Sequence, residues 1–132
     1  MERKRAVVAV IEKDGKVVLG KKIQNSQGTL RGEWHIPGET VEDSETDEQA
    51  IKRGMMEEMG INVDVVGFVA SHTTPKGTEV NWYLCKTDEE ELIIGSDLED
   101  ARWIMLGEVS TVAGELGQSL WPKEIQALFE KM

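Results

Sequence analysis

The residues whose types and spacing could do chemistry lie between positions 38 and 61. Arg53, Glu57 and Glu58 follow one another closely there. At 3.6 residues per turn, a helix would carry Gly54, Glu57 and Glu58 on one face, and Arg53 could pair with the glutamate four residues later. Neighbouring carboxylates repel unless water or a cation separates them, and hard oxygen ligands suit Mg²⁺ or Mn²⁺. The pattern indicates either a solvated helix face or a divalent-metal site.

A helix between Thr46 and Gly60 must position these side chains. Thr46 and Gln49 have the spacing of a capping box, acidic residues fill the first turn, and Gly60 stands where a C-terminal cap belongs. The apolar side chains spaced four apart are Ile51, Met55 and Met59. They form one stripe, so we expect the helix to pack with one side and to present its carboxylates with the other.

The spacing resembles the box of the Nudix hydrolase family, G-x5-E-x7-R-E-U-x-E-E-x-G-U, where U is a bulky aliphatic residue. Laid over positions 39–61, the box matches at Glu45, Arg53, Met55, Glu57, Glu58, Gly60 and Ile61. The segment that leads into it, Trp34-His35-Ile36-Pro37-Gly38, also looks like the approach to the box in this family.

Two positions depart from the box. Glu39 replaces its opening glycine, which we interpret as a matter of turn geometry, and Gly54 replaces the glutamate directly after Arg53. In much of the family that glutamate is a metal ligand and often the proposed general base. Glycine inside a helix costs about 0.5–1 kcal/mol relative to alanine, so Gly54 needs an explanation. A ligand close to the backbone, a neighbouring side chain close to it, and a decayed metal site all remain open.

The resemblance implies roles for the residues that match. Glu57 and Glu58 would hold Mg²⁺ or Mn²⁺, and Arg53 would orient a carboxylate such as Glu57 through a charge-assisted hydrogen bond. The residues given structural roles are Gly38, Glu45 and Gly60, with Glu45 paired to the helix arginine. The general base is left open between Glu99, another carboxylate and hydroxide bound to the metal ion.

Further candidates lie outside the box. Glu99, with Asp97 as second choice, would supply one more metal-binding or catalytic carboxylate, although a solvated acidic loop explains that segment equally well. The candidate substrate contacts are Lys21, Lys22, Arg31 and Trp34. For the basic residues the alternative is a solvated edge, and for Trp34 it is a place in the core.

Other reactive side chains have simpler interpretations. His35 could carry protons but fits a strand residue facing a loop. His72 precedes a turn-rich segment and is a lesser candidate for substrate contact. Cys85 lies in mid-strand, where a small buried apolar role is favoured over a nucleophile.

Composition limits the class of protein. A chain of 132 residues fits one domain spanning positions 1–132. The net charge of −10 argues against a nucleic-acid polymer as partner but allows a small phosphorylated substrate whose charge a metal ion balances. The single cysteine fits a reducing compartment, and the apolar run at 6–11 is too short to cross a membrane. We therefore expect a cytoplasmic protein without a membrane partner; no oligomeric state follows from these features.

The flanking segments predict an α/β fold. Strands are expected at 5–12 and 16–22, joined by an Asp14-Gly15 turn, then a polar loop at 23–33, and strands at 61–71 and 78–86. In the strand at 78–86, alternation places one set of side chains on one face, Val80, Trp82 and Leu84. It places the other set on the opposite face, Asn81, Tyr83 and Cys85. A short helical turn is expected at 106–112. A final helix should open at Trp121-Pro122, with Ile125, Leu128 and Phe129 packing against the sheet.

Together with the resemblance, these elements imply the Nudix α/β/α sandwich, a mixed sheet between the box helix and the C-terminal helix. The implied function is that of a metal-dependent pyrophosphohydrolase, which cleaves a nucleoside diphosphate linked to another moiety, with a nucleoside triphosphate as first candidate substrate. The alternative is a catalytically impaired module of the same fold that binds a nucleotide or a partner. An acidic α/β domain without a nucleotide role is the third possibility.

Overall fold

The computed structural model describes residues 4–22, 33–95, 98–119 and 121–131. Its strands are β1 (Arg5–Lys13), β2 (Lys16–Lys22), β3 (Trp34–His35), β4 (Gly38–Thr40), β5 (Asp64–Thr73), β6 (Glu79–Lys86) and β7 (Leu98–Met105). Its helices are α1 (Asp47–Met59), α2 (Val109–Ser119) and α3 (Lys123–Lys131), with a 3-10 turn at Leu106–Glu108 before α2.

The seven strands of the described residues form one mixed sheet. Its path runs β3-β2-β1-β6-β5, with β4 paired to β1 and β7 paired to β2. β1 runs parallel to β6, and the other pairs are antiparallel. The turn between β1 and β2 has positive φ at Asp14 (52°) and Gly15 (77°), as a two-residue type I′ hairpin requires.

Helices cover both faces of the sheet, which confirms the predicted sandwich. On one face, α1 packs over a core that includes Val7, Ile11, Ile51, Met55 and Cys85. On the other face, α2 and α3 cover a second core that includes Val10, Leu19, Trp82, Val109 and Ile125. Alternation along β1 sends successive side chains into different cores, so this strand is buried on both sides.

Strand β6 divides its side chains as predicted. Val80, Trp82 and Leu84 join the core under α2 and α3. Tyr83 and Cys85 join the core under α1. The face of β6 that meets the box helix is therefore the one that carries Asn81, Tyr83 and Cys85.

Two element boundaries differ from the predictions by more than two residues. β5 begins at Asp64 rather than 61, and Ile61 and Val63 are buried in the core ahead of the strand. The predicted turn at 106–112 extends into α2, which continues to Ser119 across a break in helical geometry at Gly114 (φ 71°). Among the described residues, no helix is long and apolar enough to cross a membrane.

Candidate active site

Helix α1 is capped at both ends by the residues from which the helix was predicted. The Thr46 backbone N–H donates to Gln49 Oε1 (2.9 Å), and the Gln49 N–H donates to Thr46 Oγ1 (3.1 Å). Gly60 adopts φ 65° and donates its N–H to the Met56 carbonyl (3.0 Å). The predicted capping box at Thr46 and the left-handed C-cap at Gly60 are confirmed. They fix where the helix begins and ends, and so place Glu57 and Glu58 in its last turn.

Arg53 is held by Glu45 through two hydrogen bonds. Its Nε donates to Oε2 at 2.7 Å and its Nη2 donates to Oε1 at 2.9 Å, while Nη2 also donates to the Thr40 carbonyl at 2.9 Å. Hydrogen bonding to Arg53 lowers the pKa of Glu45 to about 2, and the same contact raises the pKa of Arg53. The guanidinium therefore ties the segment after β4 to the box helix.

The remaining nitrogen of Arg53 attracts further carboxylates. Nη1 lies 3.3 Å from Glu57 Oε2, 3.7 Å from Glu42 Oε1 and 3.8 Å from Glu39 Oε2. These three carboxylates differ in burial, since the Glu39 side chain is 20% exposed whereas Glu42 and Glu57 are 68% and 62% exposed. We refer to Arg53 with Glu39, Glu42, Glu45 and Glu57 as the Arg53 cluster.

Glu58 follows Glu57 in the last turn of α1. One of its carboxylate oxygens, Oε2, is shielded from solvent. Its backbone carbonyl accepts a hydrogen bond from the N–H of Gly95 (2.7 Å), and the Met59 carbonyl accepts one from Ile93 (2.9 Å). A Cβ at Gly95 would collide with the Glu57 carbonyl oxygen, so glycine is needed for this close approach.

The Gly95 segment continues into β7. The Leu98 N–H reaches the Gly95 carbonyl at 3.5 Å, at the point where β7 begins. The last turn of α1 is therefore connected through backbone contacts to the strand that carries Glu99.

Gly54 lies against Glu39, so the two residues that depart from the box are in contact. A Cβ placed on Gly54 would lie 2.8 Å from both Cβ and Cγ of Glu39 and 3.1 Å from its Oε2. Of the explanations left open by the sequence, the structure supports a neighbouring side chain close to the helix backbone.

The carboxylate oxygens of Glu57 and Glu58 are of the type that a hard divalent cation prefers, and the resemblance to the Nudix family implies such a cation. Within the described ranges, no group of three or more His, Cys, Asp or Glu side chains is arranged as a metal cage. Mg²⁺ does not require one, because it usually takes one or two carboxylates and fills its remaining positions with waters and substrate phosphates. Glu57 and Glu58 are consecutive carboxylates in the last turn of α1, and Glu39 of β4 occupies a space that a Cβ at position 54 would fill.

The other predicted site residues have different surroundings. Glu99 forms an ion pair with Lys21 (Nζ to Oε2, 3.1 Å). Trp34 is half-buried against the core under α2 and α3, and the Arg102 guanidinium lies 5.8 Å from its ring centroid. Lys22 ends β2, while Arg31 and Asp97 lie outside the described residues. The substrate and metal roles of these residues stay predictions.

The histidines and the cysteine have structural contacts. His35 is buried on β3, opposite Gly20 of β2. His72 Nδ1 accepts a hydrogen bond from Trp82 Nε1 (3.2 Å). Cys85 is fully buried, as predicted, and burial raises its thiol pKa to about 12.

One polar junction was not anticipated from the sequence. Asp47 accepts hydrogen bonds from Arg5 Nε (2.7 Å), Asn81 Nδ2 (2.9 Å) and the Tyr83 hydroxyl (2.6 Å), which joins the first turn of α1 to β1 and β6. Burial opposes ionisation of Asp47, but these donors outweigh it and lower its pKa. The signal available in the sequence was the alternation of β6, which placed Asn81 and Tyr83 on one face.

Solved structures of other proteins share this fold. A NUDIX hydrolase from Nitrosomonas europaea superimposes with a TM-score of 0.82 at 20% identity, covering 99% of this chain and 72% of that one. The solution structure of the Escherichia coli ORF135 protein gives a TM-score of 0.72 at 26% identity, covering 97% of this chain and 91% of that one.

Curated relatives carry nucleotide-hydrolase names. A CTP pyrophosphohydrolase of Escherichia coli (strain K12) is 39% identical over 72 residues, 54% of this chain and 52% of that protein, so the match spans about half of the relative. The nucleoside triphosphatase NudI of Enterobacter sp. (strain 638) is 22% identical over 126 residues, covering 85% of this chain and 89% of the relative. The family model for the NUDIX domain matches residues 1–123. The chain therefore belongs to the Nudix hydrolase family.

Proposed function

We propose that the protein is a metal-dependent pyrophosphohydrolase that cleaves a nucleoside diphosphate linked to another moiety, with a nucleoside triphosphate as its first candidate substrate. The observation that carries the proposal is the Arg53 cluster. One guanidinium, fixed by Glu45, gathers Glu39 and Glu57 at the helix face next to Glu58. The names of two relatives, a CTP pyrophosphohydrolase and a nucleoside triphosphatase, support this class of substrate.

The roles of the chain's own residues follow from this geometry. Glu57 and Glu58 would hold Mg²⁺ or Mn²⁺, which when bound neutralises phosphate oxygens and activates water. Arg53 limits the positions that the Glu57 carboxylate adopts, because Nη1 contacts it while Nε and Nη2 are committed to Glu45. The cluster thus holds acidic donors at a fixed point of the helix.

Charge also favours a cation at this site. The chain carries a net charge of −10, which repels a free nucleoside triphosphate. The residues proposed to contact phosphate are Lys22 and Arg31, with Trp34 for the base and Glu99 as an additional ligand. We place the protein in the cytoplasm, which its single free cysteine fits.

A hydrolysis screen tests the function. The wild-type chain is incubated with a panel of nucleoside triphosphates and diphosphate-linked nucleotides in Mg²⁺, in Mn²⁺ and in a chelator, with detection of phosphate and pyrophosphate. We expect turnover of at least one nucleotide with metal and none with chelator. We expect Glu57→Gln to abolish that turnover, because it removes an anionic metal ligand.

Glu48→Gln is the matched control. Glu48 is on the same helix, is 61% exposed and pairs with a basic residue four positions away, Lys52 at 3.7 Å, as Glu57 pairs with Arg53. It should retain the wild-type rate within about twofold. Nucleotide binding without turnover across the panel would instead support the impaired binding module.

A further inference from the structure

One residue of β1 contacts the segment that joins β4 to α1, residues 41–46, at both of its ends. The Arg5 carbonyl accepts a hydrogen bond from the Val41 N–H (2.9 Å), where the segment leaves β4. Arg5 Nη2 donates to the Glu45 carbonyl (3.1 Å), and Arg5 Nε donates to Asp47 Oδ1 (2.7 Å) in the first turn of α1. Arg5 therefore holds the 41–46 segment at its start, near its end and at the helix that follows.

Hydrogen bonds rather than close packing hold the 41–46 segment. Val41 packs against the core, but residues 42–44 are exposed, and Ser44 adopts a left-handed φ of 72° that its surroundings must stabilise. An open cavity of about 590 Å³ adjoins the segment and is lined by Lys4, Arg5 and residues 41–45. Because this side of the segment is open, the contacts from Arg5 have a large share in fixing its position.

The 41–46 segment matters to the site because it carries Glu45. Glu45 binds Arg53 through two hydrogen bonds of 2.7 and 2.9 Å, and Arg53 Nη1 lies 3.3 Å from Glu57 Oε2. Arg5 contacts the backbone carbonyl of Glu45, so it restrains this residue without competing with Arg53 for the carboxylate. A continuous series of contacts therefore runs from Arg5 in β1 through Glu45 and Arg53 to Glu57.

Strand β6 fixes the other end of this series. Asp47 Oδ2 accepts hydrogen bonds from Asn81 Nδ2 (2.9 Å) and the Tyr83 hydroxyl (2.6 Å), and Oδ1 accepts from Arg5. The Asp47 side chain is only 16% exposed, so its ion pair with Arg5 is better shielded from water than a surface pair. The Arg5 guanidinium is thus oriented by a partner that is itself fixed, as a positioning group requires.

We propose that Arg5 is a positioning residue for the reaction. It places the Glu45–Arg53 pair, and through that pair the Glu57 carboxylate, by holding the 41–46 segment from β1. The planar guanidinium allows this because it reaches Asp47 and the Glu45 carbonyl with different nitrogens, which a single lysine ammonium cannot reproduce. The placement of Arg53 is a property of the folded chain, and only its effect on turnover rests on the proposed function.

Proton exchange at Arg53 tests the placement without substrate. The Arg53 Nε–H donates to Glu45 at 2.7 Å, and its exchange with water is measured by nuclear magnetic resonance on nitrogen-labelled protein. The signal is assigned by its loss in Arg53→Lys. We expect Arg5→Lys to speed this exchange about tenfold, because the segment that carries Glu45 opens more often. Unchanged exchange in Arg5→Lys would overturn the proposal.

Two variants separate placement from charge and from stability. Lys4→Gln removes a neighbouring positive charge that lines the same cavity, and it should keep the Arg53 exchange within about twofold of wild type. Tyr83→Phe removes one donor to Asp47 but leaves the contacts of Arg5 with the 41–46 segment in place. Urea unfolding gives the stability of each variant. An acceleration in either control as large as that in Arg5→Lys would show a general effect of charge or stability and overturn the proposal.

Turnover distinguishes this proposal from the proposed function. In a wild-type chain that hydrolyses a nucleotide, Arg5→Lys should lower kcat about tenfold and keep KM within about twofold, because it disturbs the site groups rather than substrate binding. A loss confined to KM would overturn the positioning role. If the wild type hydrolyses nothing but Arg5→Lys still speeds the Arg53 exchange, the placement holds and the proposed function fails. If hydrolysis proceeds and Arg5→Lys changes neither kcat nor the exchange, the function holds and the positioning role fails.

Discussion

Glu45 and Arg53 meet along two parallel hydrogen bonds, of 2.7 and 2.9 Å, across the segment that joins β4 to α1. The planar guanidinium matches a carboxylate at two points, so the pair fixes orientation as well as distance. The Glu42 N–H donates to the same carboxylate (2.9 Å), which adds a backbone contact to the pair. Glu45 therefore positions the cluster through Arg53.

The ion pair between Glu45 and Arg53 predicts that the folded protein loses stability in acid. The pKa of Glu45 falls from its ordinary value of 4.5 to about 2 in the folded chain. Folding is then stabilised above pH 4.5, and this contribution is lost as pH falls from about 4.5 towards 2. Urea unfolding from pH 7 to pH 2 should show a smaller stability loss for Glu45→Gln than for wild type in that window. An identical profile for Glu45→Gln and wild type would refute the prediction.

The Glu39–Gly54 contact predicts an unusual sign for a glycine-to-alanine change. Alanine inside a helix is normally more stable by about 0.5–1 kcal/mol. Here its Cβ would press on Glu39, and such overpacking costs about 1–3 kcal/mol. We expect Gly54→Ala to lower the free energy of unfolding measured in urea.

Gly54→Ala should have the opposite effect on stability when Glu39 is replaced by glycine. In a Glu39→Gly background, Gly54→Ala should stabilise by about 0.5–1 kcal/mol, because only the helix preference remains. Additive effects in this double-mutant cycle would show that the two residues are not coupled.

Tyr83 allows the junction at Asp47 to be observed directly. Tyr83 is the sole tyrosine of the chain, and its burial, followed by its hydrogen bond to Asp47, raises its pKa above the ordinary value of 10. Phenolate absorbance during an alkaline titration should therefore appear well above pH 10 in the folded protein. Asp47→Asn should move that titration to lower pH, since it removes the negative charge beside the hydroxyl. A wild-type midpoint at pH 10 would show that the hydroxyl is in solvent.

Cys85 predicts a thiol that reacts only after unfolding. It is the single cysteine, is fully buried, and burial raises its pKa to about 12. A thiol reagent at pH 8 should be unreactive with the native chain and should modify one thiol per chain in concentrated guanidinium. Rapid modification of the native protein would contradict the packing of β6 against α1.

Local patterns in the sequence were enough to predict the helix and the faces of β6. Thr46 and Gln49 start α1, and Gly60 ends it, because caps act between residues close in the chain. The faces of β6 followed from alternation with a period of two. The short strands β3 and β4 were not predicted, since they depend on pairing with β2 and β1 rather than on their own composition.

The site itself was predicted only in part. The contact between Arg53 and Glu57 follows from helical spacing. The contact between Glu39 and Gly54 does not, because it depends on how β4 lies against α1; the paired glycine and glutamate substitutions were its only trace in the sequence. Asp47 is one of the acidic residues expected in the first turn of the helix, and its three partners come from strands distant in the chain.

The Gly95 N–H donates to the Glu58 carbonyl, and the Gly95 carbonyl accepts from the Leu98 N–H. These two hydrogen bonds join the last turn of α1 to the first residue of β7. The placement of Glu58 relative to Glu99 therefore depends on the backbone at position 95. An enlarged residue at position 95 would break that linkage without altering any acidic side chain.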